Sequence, residues 1–325
     1  MKAVTVILIL IFIGLIHPFP GWGDPLAGPM EIKNQFPLFL HLNRPVLESA
    51  AVQDSFSIQC SYSSIFFVRD NPRWAVYLDM EWLEFNLKYQ KTLFSFLEIS
   101  LELPILSFNS GFMDNGLDWY HTTFGFRDYG RRTRPANQFL YRVKKDDDPV
   151  IEGEDGKVGF GDLKISAKKV LMKMDDQPFL SLKAAVELPT GDPETGYGNG
   201  SLDLGLLVQV EKKLTRYLQA TGNGGLVIPG NLRAHKTVEL KNYWFGGIGL
   251  EAKPWKRLSV LGQISAQTSP FPETGFDFLD NPALVLTLGG RYYLDRNHFE
   301  LSLTEDLNTS GAPDFTVNFS FKHAF

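Results

Sequence analysis

The last eleven residues of the chain read Phe315-Thr316-Val317-Asn318-Phe319-Ser320-Phe321-Lys322-His323-Ala324-Phe325. Phe315, Val317, Phe319, Phe321, His323 and Phe325 share one parity; Thr316, Asn318, Ser320, Lys322 and Ala324 share the other. Successive side chains of a strand point to opposite faces, so this is a strand with one aromatic face and one mostly polar face. A 3.6-residue period cannot sort residues in this way. Such a strand left bare in water is an aggregation liability. Its aromatic face therefore needs a protein core or a lipid environment.

The alternation recurs upstream. Phe56, Ile58, Cys60 and Tyr62 oppose Ser57, Gln59, Ser61 and Ser63. Leu83, Phe85, Leu87 and Tyr89 oppose Glu84, Asn86, Lys88 and Gln90. Leu180, Leu182, Ala184, Val186 and Leu188 oppose Ser181, Lys183, Ala185 and Glu187. Twelve strands are predicted, at 55–67, 81–90, 95–103, 160–170, 179–188, 201–211, 216–227, 241–252, 256–267, 283–294, 298–307 and 314–325. Each is close to the roughly 9–11 residues with which a tilted strand crosses a bilayer. The connections also alternate, short then long. The long set is 68–80, 104–159, 189–200, 228–240 and 268–282, with 308–313 its one brief member. Transmembrane barrels keep short turns on the periplasmic side and long loops outside.

The first residues point the same way. Met1 and Lys2 precede the apolar run at residues 4–16, and His17, Pro18, Pro20 and Gly21 break it. This is the pattern of a secretory signal. As a helix it would reach about 20 Å, short of the roughly 30 Å hydrocarbon core. Gly21 and Gly23 offer a cleavage site before Asp24, and a second choice lies just after Ala27. No later stretch supplies 18 consecutive apolar residues, which excludes a helical membrane bundle. The domains read from this are a signal peptide at 1–23, an extension at 24–54 that contacts the periplasmic mouth or lumen, and a barrel at 55–325 with the long loop 104–159.

The fold class expected is all-β: a closed transmembrane antiparallel β-barrel of twelve strands with long extracellular loops, in a Gram-negative outer membrane. Backbone groups in lipid find no water, so the sheet must close. Its apolar faces then point out and its polar faces in. A net charge of −5, with no basic stripe, argues against nucleic-acid binding. The single cysteine, Cys60, can form no intrachain disulfide.

Polar-face parity assigns Glu84, Lys88, Glu98, Glu102, Lys164, Lys168, Lys183, Glu187, Asp203, Arg291, Glu300, Asp306 and Lys322 to the lumen. Either opposite charges pair across a narrow lumen, or the lining guides a polar solute. Tyr89, Trp244, Trp255 and Tyr292 lie near strand ends and suit interfacial girdles. Loop 104–159 is long enough to plug or constrict the lumen, or to cap its outer mouth. Trp119, Tyr120, Arg131, Arg132 and Arg134 are its candidates for that role, and its basic part suits lipopolysaccharide phosphates. Phe321, His323 and Phe325 resemble the carboxy-terminal signal by which outer-membrane barrels are recognised by their assembly machinery.

The function expected is a channel or transporter for small polar or amphipathic solutes. The alternatives are a structural or interaction barrel without conductance and, behind it, an outer-membrane lipid hydrolase. Hydrolysis needs a nucleophile beside a base. His121-Thr122-Thr123 has threonine where the outer-membrane phospholipases carry a serine two residues from the histidine. No catalytic group, metal site or cofactor is assigned. The expected partners are outer-membrane lipid and lipopolysaccharide, the barrel assembly machinery and a small solute.

Several segments resemble the DUF3187 family of Gram-negative envelope proteins. They are Leu78-Asp79-Met80-Glu81, Leu101-Glu102-Leu103-Pro104, Arg131-Arg132-Thr133-Arg134-Pro135-Ala136-Asn137 and Gly161-Asp162-Leu163, together with Glu187-Leu188-Pro189-Thr190-Gly191-Asp192-Pro193 and Gly198-Asn199-Gly200-Ser201-Leu202-Asp203-Leu204-Gly205. The resemblance spans about residues 80–205. It implies a barrel-like envelope protein and no particular activity.

Overall fold

The computed structural model describes residues 26–124, 134–174 and 177–325. The predicted signal peptide at 1–23, together with Arg131 and Arg132, lies outside the described residues.

Twelve antiparallel strands form the wall: β1 (Ser55–Asp70), β2 (Trp74–Phe94), β3 (Leu97–Asn109), β4 (Leu163–Met174), β5 (Gln177–Leu188), β6 (Asp203–Thr215), β7 (Leu218–Ile228), β8 (Tyr243–Trp255), β9 (Leu258–Gln267), β10 (Ala283–Leu294), β11 (Asn297–Asp306) and β12 (Phe315–Ala324). Each pairs with its neighbour in sequence, and β12 returns to pair with β1 from Ser55↔Ala324 to Ser64↔Phe315. The wall is therefore closed, and no strand edge is left open along that seam. No helix among the described residues is long and apolar enough to cross a membrane.

At the end where Ser55 and Ala324 meet, here the terminus end, the turns 95–96, 216–217, 256–257 and 295–296 have two residues each. At the opposite, loop end the connections include 110–162, 189–202, 229–242 and 268–282. The predicted loop 68–80 is instead mostly strand. β1 and β2 continue to a three-residue turn at 71–73, where the Asn71 side chain accepts from the backbone N–H groups of Arg73 and Trp74 at 2.9 Å each. The alternation blurs here for a physical reason. The inward face itself turns apolar: Ile65, Trp74, Val76, Leu78 and Met80 are buried in one cluster, where the same face lower down carries Glu84 and Lys88.

Loop 104–159 is likewise more ordered than its sequence implied. Its first residues extend β3 to Asn109, α1 (Asp114–Phe124) follows, and a hairpin of Leu140–Lys145 and Asp148–Glu152 pairs with the top of β2. That hairpin turns at Asp146 and Asp147, with φ of 52° and 66°. Two successive left-handed residues form the tight turn whose twist matches flanking strands.

The two faces of the wall differ in chemistry. Leu204, Leu206, Val208 and Val210 on β6 are exposed outward, as are Trp244, Ile248 and Leu250 on β8 and Leu301 and Leu303 on β11. Their alternates Asp203, Gln209, Tyr243, Glu251, Ser302 and Thr304 are buried inward. The barrel is thus greasy outside and polar inside, the inverse of a water-soluble sandwich.

Candidate functional site

The barrel interior is occupied by the chain's own residues 26–54. This segment enters at the terminus end, rises to the loop end, turns, and descends again to start β1.

The ascending limb binds the wall through its backbone. Gly28 donates its N–H to Glu251 at 2.9 Å, and its carbonyl accepts from Arg291 at 2.8 Å. Met30 exchanges two hydrogen bonds with the Gln263 amide, at 3.1 and 3.0 Å. Glu31 accepts from Lys88 at 2.5 Å and from Lys322 at 3.1 Å. Lys33 pairs with Glu102 and donates to Asn86 at 2.9 Å. Near the top, Asn34 donates to the Gly311 carbonyl at 2.8 Å.

Phe36-Pro37-Leu38-Phe39-Leu40 makes the turn. Pro37–Phe39 forms a single 3-10 turn, and Phe39 donates its N–H to the Phe36 carbonyl at 2.8 Å. Proline suits the first position because its missing N–H would have no partner there. The turn's apolar side chains join Trp74, Val76, Tyr141, Val150, Leu232, Phe271 and Leu279 in one cluster beneath the loops. Tyr141 and Tyr197 both pack on Phe108, with ring centres 5.0 and 5.1 Å away. His41 is fully buried in this dome, and neither ring nitrogen has a hydrogen-bond partner. Burial first, and Arg44 second, lower its pKa to about 3.

The descending limb is held by charge. Asn43 donates its N–H to Asp203 at 3.0 Å, while its carbonyl accepts from Tyr243 at 2.6 Å. Arg44 grips Glu84 with two bonds of 2.7 and 2.9 Å and also reaches the Asn34 carbonyl at 3.2 Å, tying the two limbs together. One oxygen of Glu48 accepts from Lys183 at 2.6 Å and Lys88 at 3.1 Å; the other accepts from Gln209 at 3.2 Å. Lower down, Ser181 donates to the Ala50 carbonyl at 2.5 Å and Gln53 donates to Glu98 at 2.9 Å.

Inward-facing glycines make room for the segment. A Cβ on Gly205 would lie 3.2 Å from the Asn43 amide nitrogen, one on Gly247 3.1 Å from Leu47, and one on Gly289 2.9 Å from the Met30 sulfur. Two cavities beside the segment are about 30 Å³ each. At roughly 10–15 Å³ for each water, either holds about two or three waters and has no room for a solute.

The wall residues singled out from sequence divide into two groups. Glu84, Lys88, Glu102, Lys164, Lys183, Asp203, Arg291 and Lys322 are buried and each touches the segment directly. Glu98 and Lys168 touch it as well: Glu98 accepts from the Gln53 N–H at 2.9 Å and Lys168 donates to the Ser49 carbonyl at 3.4 Å. Glu187 is buried opposite Asp203 in the register, and Glu300 pairs with Arg291 at 2.6 Å. Asp306, at the loop end of β11, is only partly buried. Glu251, which pairs with Arg291 at 2.9 Å, was missed, although it shares the parity of Tyr243 and Gly247 on β8.

The described residues of loop 104–159 pack over the dome at the loop end, and residues 26–54 fill the interior below it. Trp119 on α1 is 66% exposed, and Arg134 is bound to Asp79 at 2.6 Å at the loop end. The side chain of Tyr120 lies outside the described residues. At the terminus end, His323 meets Asn297 at 2.8 Å and packs edge-on against Phe325, while Phe321 packs on Phe299. Among the described residues, no group of three or more His, Cys, Asp or Glu side chains is placed to hold a metal ion.

A family model described as "Protein of unknown function (DUF3187)" matches residues 24–325. No curated protein matches the chain. In fold, the chain is similar to the COG4313 outer membrane channel from Pseudomonas putida F1, with a TM-score of 0.54 and 13% identity over 84% of this chain and 96% of that one. It also aligns with the NanC porin at a TM-score of 0.46 and 8% identity, over 83% of this chain and 98% of that one. At 13% identity the likeness to the channel is one of fold alone.

Proposed function

We propose, from the premise that this chain belongs to the DUF3187 family, that it is a plugged outer-membrane channel of a Gram-negative cell. Small polar or amphipathic solutes pass when the hairpin of residues 26–54 shifts. The outer face supports the membrane setting. Trp244 and Trp255, both exposed, stand eleven residues apart on β8. That is about 36 Å along the strand and about 28 Å along the axis of a barrel with strands tilted by roughly 40°. It matches an apolar band of roughly 25 Å between two aromatic girdles. In this setting the terminus end faces the periplasm, residues 1–23 are a removed leader, and Phe321, His323 and Phe325 form the assembly signal. The loop end faces lipopolysaccharide.

One observation carries the channel reading: the plug meets the wall mid-barrel mainly through ion pairs and amides, with one small apolar cluster of Met30, Ile32 and Leu261 beside them. Buried ion pairs add little net stability, because water solvates the separated charges well. An interface of this kind can part and rehydrate, which a greasy one resists. The opposite anchorage favours a second reading, a barrel that never conducts: Phe36, Phe39 and Leu42 are buried in the apolar dome under the loops.

Planar-bilayer recording separates the two. The full chain and the plug-loosening variants Arg44→Ala and Glu48→Gln are reconstituted after heat-dependent gel mobility shows them folded. Discrete current steps whose open probability rises in the variants support the channel. Silence of all three folded proteins at every voltage overturns it.

A further inference from the structure

We infer that the wall residues Lys88, Lys183 and Gln209 form a binding site for the carboxylate of a small anionic solute, a site that Glu48 of the plug fills as a stand-in when the channel is closed. The inference rests on the plugged-channel reading, because departure of the plug is what frees the site.

The wall's charges sort into two classes. Some are neutralised by other wall residues: Arg291 by Glu251 and Glu300, Lys168 by Glu98, and Lys164 by Glu102. These pairs survive whether or not the plug is present. Other charges have their counter-ion on the plug. Among the described residues, the carboxylate ion-paired with Lys183 is Glu48, and the one ion-paired with Lys322 is Glu31. Lys88 draws on both, at 3.1 and 2.5 Å, and stands opposite Glu102 in the register. On the acidic side, Glu84 depends on the plug's Arg44 and Lys33. Withdrawing the plug thus leaves Lys88, Lys183 and Lys322 without their carboxylates, and Glu84 and Glu211 without the plug groups that hold them. Glu187 lies four residues above Lys183 on β5, about 13 Å away, toward the loop end.

The geometry around Glu48 is that of a carboxylate receptor. Both of its oxygens are engaged, and the three donors stand on β2, β5 and β6. In the plugged barrel Lys88 and Lys183 are each 3% exposed, and Glu48 holds both ammonium groups in place. With the plug gone, ammonium groups gathered in a narrow lumen repel one another and attract a counter-anion, so the open state favours whichever anion replaces Glu48. A chain segment that supplies its own carboxylate to such a site competes with a solute carboxylate, so solute binding and plug release are linked.

The test uses the detergent-folded full chain, with gluconate, glucose and glucosamine as probes at matched ionic strength. They share a polyhydroxy skeleton and differ in charge. Glu48→Gln empties the charge from the site while keeping its shape. Equilibrium dialysis with this variant is expected to show gluconate bound at least 10-fold more tightly than glucose or glucosamine. Adding Lys183→Gln is expected to abolish that preference. Equal binding of the three probes overturns the inference. Should Glu48→Gln not fold, the wild-type chain decides: gluconate is expected to raise proteolytic cleavage within residues 26–54 at least threefold over sodium chloride, and no rise overturns the inference. Preference for gluconate in a barrel that carries no current keeps the site and removes the channel reading. Current without preference does the reverse.

Discussion

Arg44 and Glu84 form a two-pronged ion pair, at 2.7 and 2.9 Å, with both side chains almost wholly buried. One partner belongs to the plug and the other to β2, so this contact ties the inner segment to the wall. Removing the guanidinium leaves a carboxylate buried with Lys33 at 3.6 Å as its remaining ion-pair contact. Arg44→Ala is therefore expected to destabilise the barrel by about 3–5 kcal/mol. Arg44→Met combined with Glu84→Leu is expected to recover most of that loss, since neither charge then needs compensation. Urea unfolding of the reconstituted proteins checks the pattern. A double variant no more stable than Arg44→Ala alone contradicts it.

Gly205 offers a way to disturb the plug without breaking the wall. A Cβ there would approach the Asn43 amide at 3.2 Å and Ala185 at 3.7 Å, with no backbone atom among these contacts. Gly205→Val is expected to push Asn43 from its bonds to Asp203 and Tyr243 while β5 and β6 stay paired. Proteolysis within residues 26–54 should rise several-fold with an unchanged far-ultraviolet dichroism spectrum. Lost strand signal, or unchanged proteolysis, counts against the account.

His41 makes the dome sensitive to acid. Its folded pKa of about 3 lies below the ordinary value near 6.5, so only the undocked state takes up a proton between these limits. Above pH 6.5 there is no penalty. As pH falls from 6.5 toward 3, docking of the plug tip weakens progressively, by at most roughly 5 kcal/mol. Hydrogen exchange of residues 36–46, corrected for its intrinsic pH dependence, should show protection falling in that window. His41→Leu is expected to flatten the response; an identical response in the variant removes His41 as its cause.

The membrane setting has a spectroscopic consequence. Trp244 and Trp255 are exposed on the outer face, whereas Trp82 is fully buried and donates to Gln35 of the plug at 3.3 Å. In bilayers containing brominated lipid, quenching of fluorescence should be greatly reduced in Trp244→Phe combined with Trp255→Phe. Trp82→Phe should leave the quenched fraction of the outward tryptophans intact. Quenching that ignores the two outward tryptophans argues against the bilayer.

The twelve wall strands were legible because each carries its own instructions. On β6, Leu204, Leu206 and Val208 alternate with Gly205, Leu207 and Gln209, and a period of two needs no distant partner to be seen. Even the glycine-diluted β7 was placed within two residues, since its neighbours on both sides fix where it must start. The tops of β1 and β2 escaped because their inward face turns apolar there, with Ile65, Trp74, Val76, Leu78 and Met80 packed into the dome, so the polar-inside pattern ends before the strands do.

The chain's local order of side chains thus determined a closed sheet with a greasy exterior and a charged interior, because strand periodicity is written residue by residue. What filled that interior was decided only by the tertiary structure. Residues 26–54 have no period to read, and the groups that hold them lie far away in sequence: Glu84 is 40 residues from Arg44, Lys183 is 135 from Glu48, and Arg291 is 263 from Gly28. Which carboxylate meets which ammonium follows from the curvature that brings distant strands around one hairpin, and no stretch of sequence contains that geometry.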